Sequence, residues 1–260
     1  MNLVDTHCHI HSQWYELNPE EVISRSIKAG VNKMVCVGTT VDDSKVAVNF
    51  AAKNDSCWAA VGIHPHDSKK ELDRFAELDE LINKAKTGVI VAIGEIGLDF
   101  YYNHSPKKEQ LEALHYQIEL ALKRDLSFIF HIREAFEEFW KVFDQYQGLR
   151  GVVHSFSSGP QDLDEVLSRN LYVGLNGIMT FTRQANQLEA ARRVPLNRLL
   201  LETDAPFLTP VPYRGKVNTP EFLVDTAKFL CELRGETLKD LAKTTTQNAK
   251  ELFKLMPGEQ

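Results

Sequence analysis

Leu3-Val4-Asp5-Thr6-His7-Cys8-His9-Ile10 opens the chain as a short strand that ends in two histidines. Residues two apart on a strand face the same way, so His7 and His9 aim their imidazoles at one place. Neutral imidazole is a common ligand for divalent metals, and two in register make half of a site. An isolated His-X-His also arises by chance, so the decision rests on what the later strands present. Cys8, between the two, alternates to the opposite face.

Working outward, Asn18-Pro19-Glu20-Glu21 is a helix start, with an Asn cap, Pro at the first helical position and acids in the first turn. Gly30 closes that helix, and Lys33 to Gly38 reads as a second strand. Helical spacing over residues 41–54 precedes a third strand, Cys57 to His66, which runs into His64-Pro65-His66. A polar helix over residues 73–86 leads to strand four, Val89 to Glu95. Strands five to eight follow as Ser127 to His131, Gly151 to His154, Leu171 to Ile178 and Leu199 to Asp204, each separated by a helical segment. Eight short apolar strands alternating with helices indicate a parallel sheet covered by helices, and eight such units fit a closed (β/α)8 TIM-type barrel. An open doubly wound sheet is the alternative. It calls for a Gly-rich phosphate turn after an early strand, and none is present. With no low-complexity linker, residues 1–260 read as a single domain.

Net charge is −6, which argues against a broad basic surface for duplex nucleic acid but leaves room for local capture of a phosphate. Four widely spaced cysteines without a Cys-X-X-Cys pair read as reduced, buried thiols. No apolar run reaches the length of a membrane span, and the first strand leaves no room for a signal peptide, so a soluble, cytoplasmic protein is expected.

In a (β/α)8 barrel the active site lies at the C-terminal strand ends. Those ends present His7 and His9 (strand one), Glu95 (four), His131 (five), His154 (six) and Asp204 (eight). A strand-end His caps carbonyls and a strand-end Asp caps helices often enough. Five strands offering such residues at the same end are hard to assign to capping. Six N/O ligands exceed the needs of one tetrahedral ion and suit two divalent metals. Residues 205–220 hold four of the ten prolines and no acid, with Arg214 and Lys216 as the only charges, a candidate loop for gripping an anion.

Asp5-Thr6-His7-Cys8-His9, Gly62-Ile63-His64-Pro65-His66, Gly94-Glu95-Ile96-Gly97-Leu98-Asp99, His131-Ile132-Arg133-Glu134-Ala135, His154-Ser155-Phe156-Ser157 and Glu202-Thr203-Asp204-Ala205-Pro206 together resemble the TatD family, metal-dependent deoxyribonucleases of the amidohydrolase-like barrels. The motifs occur in family order and cover essentially the whole chain. The resemblance makes His7, His9, Glu95, His131, His154 and Asp204 the ligands of two divalent ions. Mg2+ is expected to support activity, with Zn2+ or Mn2+ as alternatives. Glu95 matches the carboxylate shared by the ions, and Asp204 the aspartate that also handles a proton of the attacking water, so both are candidate catalytic residues. The implied reaction is hydrolysis of DNA phosphodiesters, often from the 3′ end, and the implied substrates are DNA ends or single-stranded DNA. Two departures stand out: Val217-Asn218-Thr219-Pro220 replaces a basic-Asn-Glu-Pro run, and Asn176 stands where the family often has Ser.

His66, Arg133, Arg214 and Lys216 are candidates for contacting phosphate oxygens. For Arg133, a salt bridge to Glu134 or Glu137 is the competing expectation. Asp99 reads as a hydrogen-bond partner of a ligand. Tyr101, Tyr102, Phe156 and Phe207 fall near the strand ends and are available either for base stacking or for packing. His11 is read as a surface residue, His115 as structural, and His104 as a loop residue without an evident partner. Two other functions compete: hydrolysis of a small-molecule amide or ester by the same metal barrel, and a non-catalytic metal-dependent scaffold. A proton-handling Asp204 is superfluous in a scaffold, and the cationic loop favours phosphate over a neutral carbonyl.

Overall fold

The computed structural model describes residues 2–255. Eight strands follow one another: β1 (Leu3–Cys8), β2 (Val31–Val37), β3 (Cys57–Val61), β4 (Ile90–Asp99), β5 (Ser127–Arg133), β6 (Gly151–Val153), β7 (Tyr172–Leu175) and β8 (Leu199–Leu201). They lie in one sheet in the order β1-β2-β3-β4-β5-β6-β7-β8, with helices between them, the order of a (β/α)8 barrel. The chain packs as two compact units, one formed by Met1–Cys36 and Ser155–Lys254, the other by Val37–His154.

In the first unit, β1 pairs in parallel with β2 and β7 with β8. A bridge between Cys8 and Ala205 joins β1 to the segment after β8. The helix Pro19–Ala29 starts as its sequence dictates. The Asn18 side chain accepts from the N–H groups of Glu20 and Glu21, and Gly30 ends the helix at φ 99°. Leu3, Met34, Leu199 and Leu200 are fully buried in its core. In the second unit, β3, β4, β5 and β6 pair in parallel in sequence order. Phe128 and Phe130 stack at 5.0 Å, and Phe139 meets Phe130 edge-on. All three are fully buried, and burying each such ring contributes about 1.5–3 kcal/mol.

Several boundaries differ from the sequence reading. Strand β1 ends at Cys8, so His9 lies just beyond it. The His64-Pro65-His66 segment is a tight turn after β3 rather than its continuation. Strand β4 runs four residues past Glu95, to Asp99. At two of the places where strand pairing is irregular, a strand carries an extra residue close to a candidate ligand. Between Asp5 and Cys8, β1 advances three residues against two in β2, and between Ile93 and Ile96 β4 does the same against β5. Such an insertion re-aims the side chains beside it. It falls at Thr6-His7 in one strand and at Gly94-Glu95 in the other. The Gly94-Glu95 peptide is cis. All four cysteines are buried and none is in a disulfide. Among the described residues no helix is long and apolar enough to cross a membrane.

Candidate metal centre

The first unit gathers His7, His9 and Asp204. The two histidine Nε2 atoms lie 3.1 Å apart, and Asp204 Oδ1 lies 3.6 Å from the first and 3.4 Å from the second. Two ligand atoms that share an ion at about 2.1 Å sit roughly 3.0–3.4 Å apart for octahedral or tetrahedral angles. The His7–His9 and His9–Asp204 separations match the spacing of a shared cation, and the 3.6 Å His7–Asp204 separation is slightly wider. Asp204 adopts φ 59°, a left-handed conformation open to Asp, and its N–H donates to the His7 carbonyl at 2.8 Å.

A polar brace lies behind this cluster. The fully buried Asp5 carboxylate accepts from the Thr203 N–H, the Thr203 hydroxyl and the His7 N–H, so β1 is tied to the residue before Asp204. Burial pushes the Asp5 carboxyl up to about 7 despite these bonds. Glu202, also fully buried, accepts from the Ser155 N–H at 2.6 Å and from the Asn176 amide at 3.4 Å. Gly174 leaves room for it, since a Cβ there would stand 2.4 Å from Glu202 Oε2. Asn176, the departure on β7's far side, donates to Ser155 Oγ as well as to Glu202. It therefore works as a bracket for a buried acid.

The second unit gathers imidazoles around Glu95. Glu95 Oε1 lies 2.7 Å from His131 Nδ1, 3.0 Å from His154 Nε2 and 3.5 Å from His64 Nε2. His64, Glu95 and His131 offer donor atoms close enough together to hold an ion. Asp99 sits behind them. One oxygen is 3.1 Å from His131 Nε2 and 2.8 Å from His66 Nε2, and the other accepts from the N–H groups of Tyr101 and Tyr102. Carboxylate against one ring nitrogen with the other ring nitrogen turned to the site is how metal-binding histidines are commonly oriented. Burial alone raises the Asp99 carboxyl, but its bonds with His131 and His66 outweigh that and hold it well below the usual range. Burial depresses His131, and Asp99 and Glu95 reverse this and raise it. Burial lowers His64 to about 4, which leaves a neutral ring with a lone pair near neutral pH. Gly97 is required here, since a Cβ would stand 1.9 Å from the His131 carbonyl oxygen.

The remaining candidates sort by environment. His66 is spent on Asp99 through Nε2, which narrows its expected phosphate role to whatever its other atoms reach. The Arg133 guanidinium lies over the rings of Tyr101 and Tyr102 at 4.5 and 4.8 Å. Among the described residues no carboxylate pairs with it, so the expected competing bridge to Glu134 or Glu137 does not form. Arg214 donates to the Thr209 carbonyl and lies 3.8 Å from the Phe181 ring centre, whereas Lys216 is exposed with its ammonium 5.5 Å from the Tyr213 ring centre. His11 is buried at 6 % exposure, contrary to its surface reading. His104 has partners after all, stacked on Tyr102 and edge-on to His66. His115 is structural, with Nδ1 2.7 Å from the Tyr146 hydroxyl. The sequence reading assigned no ligand role to His64 and no role to Glu202, although both stand in the quoted motifs. The His-Pro-His spacing after β3 and the acid two residues before Asp204 were the available signals.

Residues 4–254 match the model of the TatD related DNase family. The chain belongs to that family. A relative from Bacillus subtilis, named an uncharacterized metal-dependent hydrolase YabD, is 35 % identical over 256 residues, covering 97 % of this chain and 99 % of the relative. A relative from Pectobacterium carotovorum, named 3′-5′ ssDNA/RNA exonuclease TatD, is 34 % identical over 261 residues, covering 97 % and 100 %. The solved structure of YJJV, a TatD homologue from Escherichia coli, superposes with a TM-score of 0.91 at 29 % identity over 98 % of each chain. As a TatD-family member this chain is a metal-dependent hydrolase acting on ester bonds.

Proposed function

We propose that this hydrolase removes nucleotides from the 3′ end of single-stranded DNA, using two divalent ions, with Mg2+ as the supporting metal. His7, His9, Glu95, His131, His154 and Asp204 are its proposed ligands. The observation that carries the reading is the convergence of imidazole nitrogens on one carboxylate oxygen in each unit, Asp204 Oδ1 in the first and Glu95 Oε1 in the second. Bound divalent metal supplies Lewis acidity and lowers the pKa of coordinated water toward ~7. The chain's own groups do the rest. Asp204, anchored through its N–H to the His7 carbonyl, is the base that accepts the proton of the attacking water. Asp5 and Thr203 hold the backbone on both sides of that site, and Asp99 fixes the ring of His131. Arg133 and Lys216 are cations without a carboxylate partner among the described residues, which suits contact with a phosphate oxygen. Arg214 is the weaker candidate because its guanidinium is engaged by Thr209 and Phe181. The name of the Pectobacterium relative supports the substrate class and the direction.

The test strips the protein with chelator, reloads it with Mg2+, Mn2+ or Zn2+, and follows 5′-labelled single-stranded DNA, duplex DNA and RNA on a gel. A panel of amides and carboxylic esters is assayed beside them. A ladder shortening from the 3′ end of the single strand is expected. Amide turnover far above any phosphodiester turnover would remove the nuclease reading.

A further inference from the structure

Two large aromatic side chains beside the first-unit cluster stand half in solvent. Trp14 is 48 % exposed and Phe207 52 % exposed. Their rings contact each other at 5.5 Å with a 31° tilt, and both contact His9, at 5.9 and 6.4 Å. Phe156, by contrast, is 3 % exposed and serves packing.

The backbone that carries the pair is braced. Ser12 N–H donates to the His9 carbonyl and Tyr15 N–H to the Ser12 carbonyl, so two successive turns fix Trp14. Phe207 N–H donates to the Asp204 carbonyl, which sets its ring directly after the proposed base. The buried Asn218 holds both sides. Its amide donates to the Phe207 carbonyl, and its own carbonyl accepts from the Tyr15 hydroxyl at 3.2 Å. Rings held this firmly and left uncovered keep a flat apolar face ready for a planar ligand. Every nucleobase has such a face, and stacking on aromatics is how unpaired strands are gripped without sequence readout.

We propose that Trp14 and Phe207 form a stacking shelf for the unpaired base of the terminal nucleotide, next to His9 and Asp204. This rests on the single-strand nuclease reading above. The shelf explains how an acidic chain holds a polyanion end: a ring face adds affinity that does not depend on charge. It also makes the preference for unpaired ends a consequence of geometry, since a base must leave its duplex partner to lie on the shelf.

The experiment compares KM for two single-stranded oligonucleotides, one with an ordinary 3′-terminal nucleotide and one with an abasic terminal residue. The proteins are wild type, Trp14→Ala, Phe207→Ala and Trp14→Phe. Wild type is expected to show a KM about tenfold higher for the abasic end, within the range for one lost base–aromatic stack. In Trp14→Ala the ordinary substrate is expected to rise to the abasic value while the abasic substrate does not move. Trp14→Phe should recover most of the loss. A second readout needs no activity: tryptophan fluorescence of the metal-free protein is titrated with oligothymidylate. Quenching is expected in wild type and is expected to be weaker in Phe207→Ala and lost in Trp14→Phe. Equal KM for ordinary and abasic ends in wild type overturns the shelf while leaving the nuclease reading intact. No cleavage of any oligonucleotide by wild type sinks the nuclease reading itself. Variants that leave KM unchanged but dissociate an oligomer would reassign the surface to contact between copies of the chain.

Discussion

Asn218 is the residue through which the loop after β8 is held, and replacing it tests how the site is braced. Its side chain is fully buried. The amide nitrogen donates to the carbonyls of Thr203 and Phe207, and the amide oxygen accepts from the Thr219 N–H at 2.9 Å. Each such bond contributes about 0.5–1.5 kcal/mol net, so Asn218→Ala should cost roughly 3 kcal/mol. At about 2–4 °C per kcal/mol for a chain of this size class, the melting temperature should fall by ~6–12 °C. Asn218→Asp is the sharper probe because it keeps the size and reverses the chemistry. It retains an acceptor for Thr219 but turns a carboxylate oxygen toward two carbonyls, which costs more than the alanine at neutral pH. Protonation at low pH restores one donor, so the Asp variant should regain stability relative to Ala as pH falls. Urea unfolding in chelator at pH 7.5 and pH 4.5 measures all three proteins without a metal contribution. An Asp variant as stable as wild type at pH 7.5 would show that the two donated bonds do not hold this loop.

Three further outcomes are expected. Asp204→Asn should retain the fold but lower turnover by at least ~100-fold with metal bound, the scale for loss of a general base, as steady-state kinetics with bound metal quantified will show. Lys216→Ala should raise KM for an oligonucleotide and flatten its salt dependence, whereas Arg214→Ala, which also frees Phe181 and the Thr209 carbonyl, should lower loop protection in hydrogen exchange as well. Hydrogen bonds from Arg74 hold the carboxyls of Asp42 and Glu77 down at about 2, so their contribution to stability is present above about pH 4.5 and lost as pH falls toward 2. Arg74→Met should therefore be slightly less stable at neutral pH, and urea unfolding should show the gap to wild type closing in acid.

The strand count and the helix caps could be read in advance because each has a local signal. The Asn18 cap with Pro19 and Gly30 is visible in three letters, and apolar runs of strand length recur eight times. The extra residues in β1 and β4 carry no such signal. Thr6-His7 and Gly94-Glu95 look regular in sequence, and only pairing with β2 and β5 shows that each strand gains a residue there. Exposure was equally hidden. His11 follows His9 by two and looks like surface once the strand is seen to end, yet it is buried. Trp14 falls in a polar stretch and looks incidental until its ring is found against Phe207, 193 positions away.

The departure at Val217 and Thr219 shows the same limit from the other side. Loss of a basic residue and a Glu beside Asn218 reads as a missing ion pair in a catalytic loop. In the folded unit the loop keeps a pair by another route. Thr219 donates its hydroxyl to Glu221 at 3.1 Å, and Glu221 receives Arg25 from the helix Pro19–Ala29 at 3.1 Å. That pair is partly exposed, and pairs of this kind contribute about 0–1 kcal/mol, so it does not carry the loop. The three bonds of the buried Asn218 side chain outweigh it several-fold, so Asn218 and not the exposed pair holds this loop.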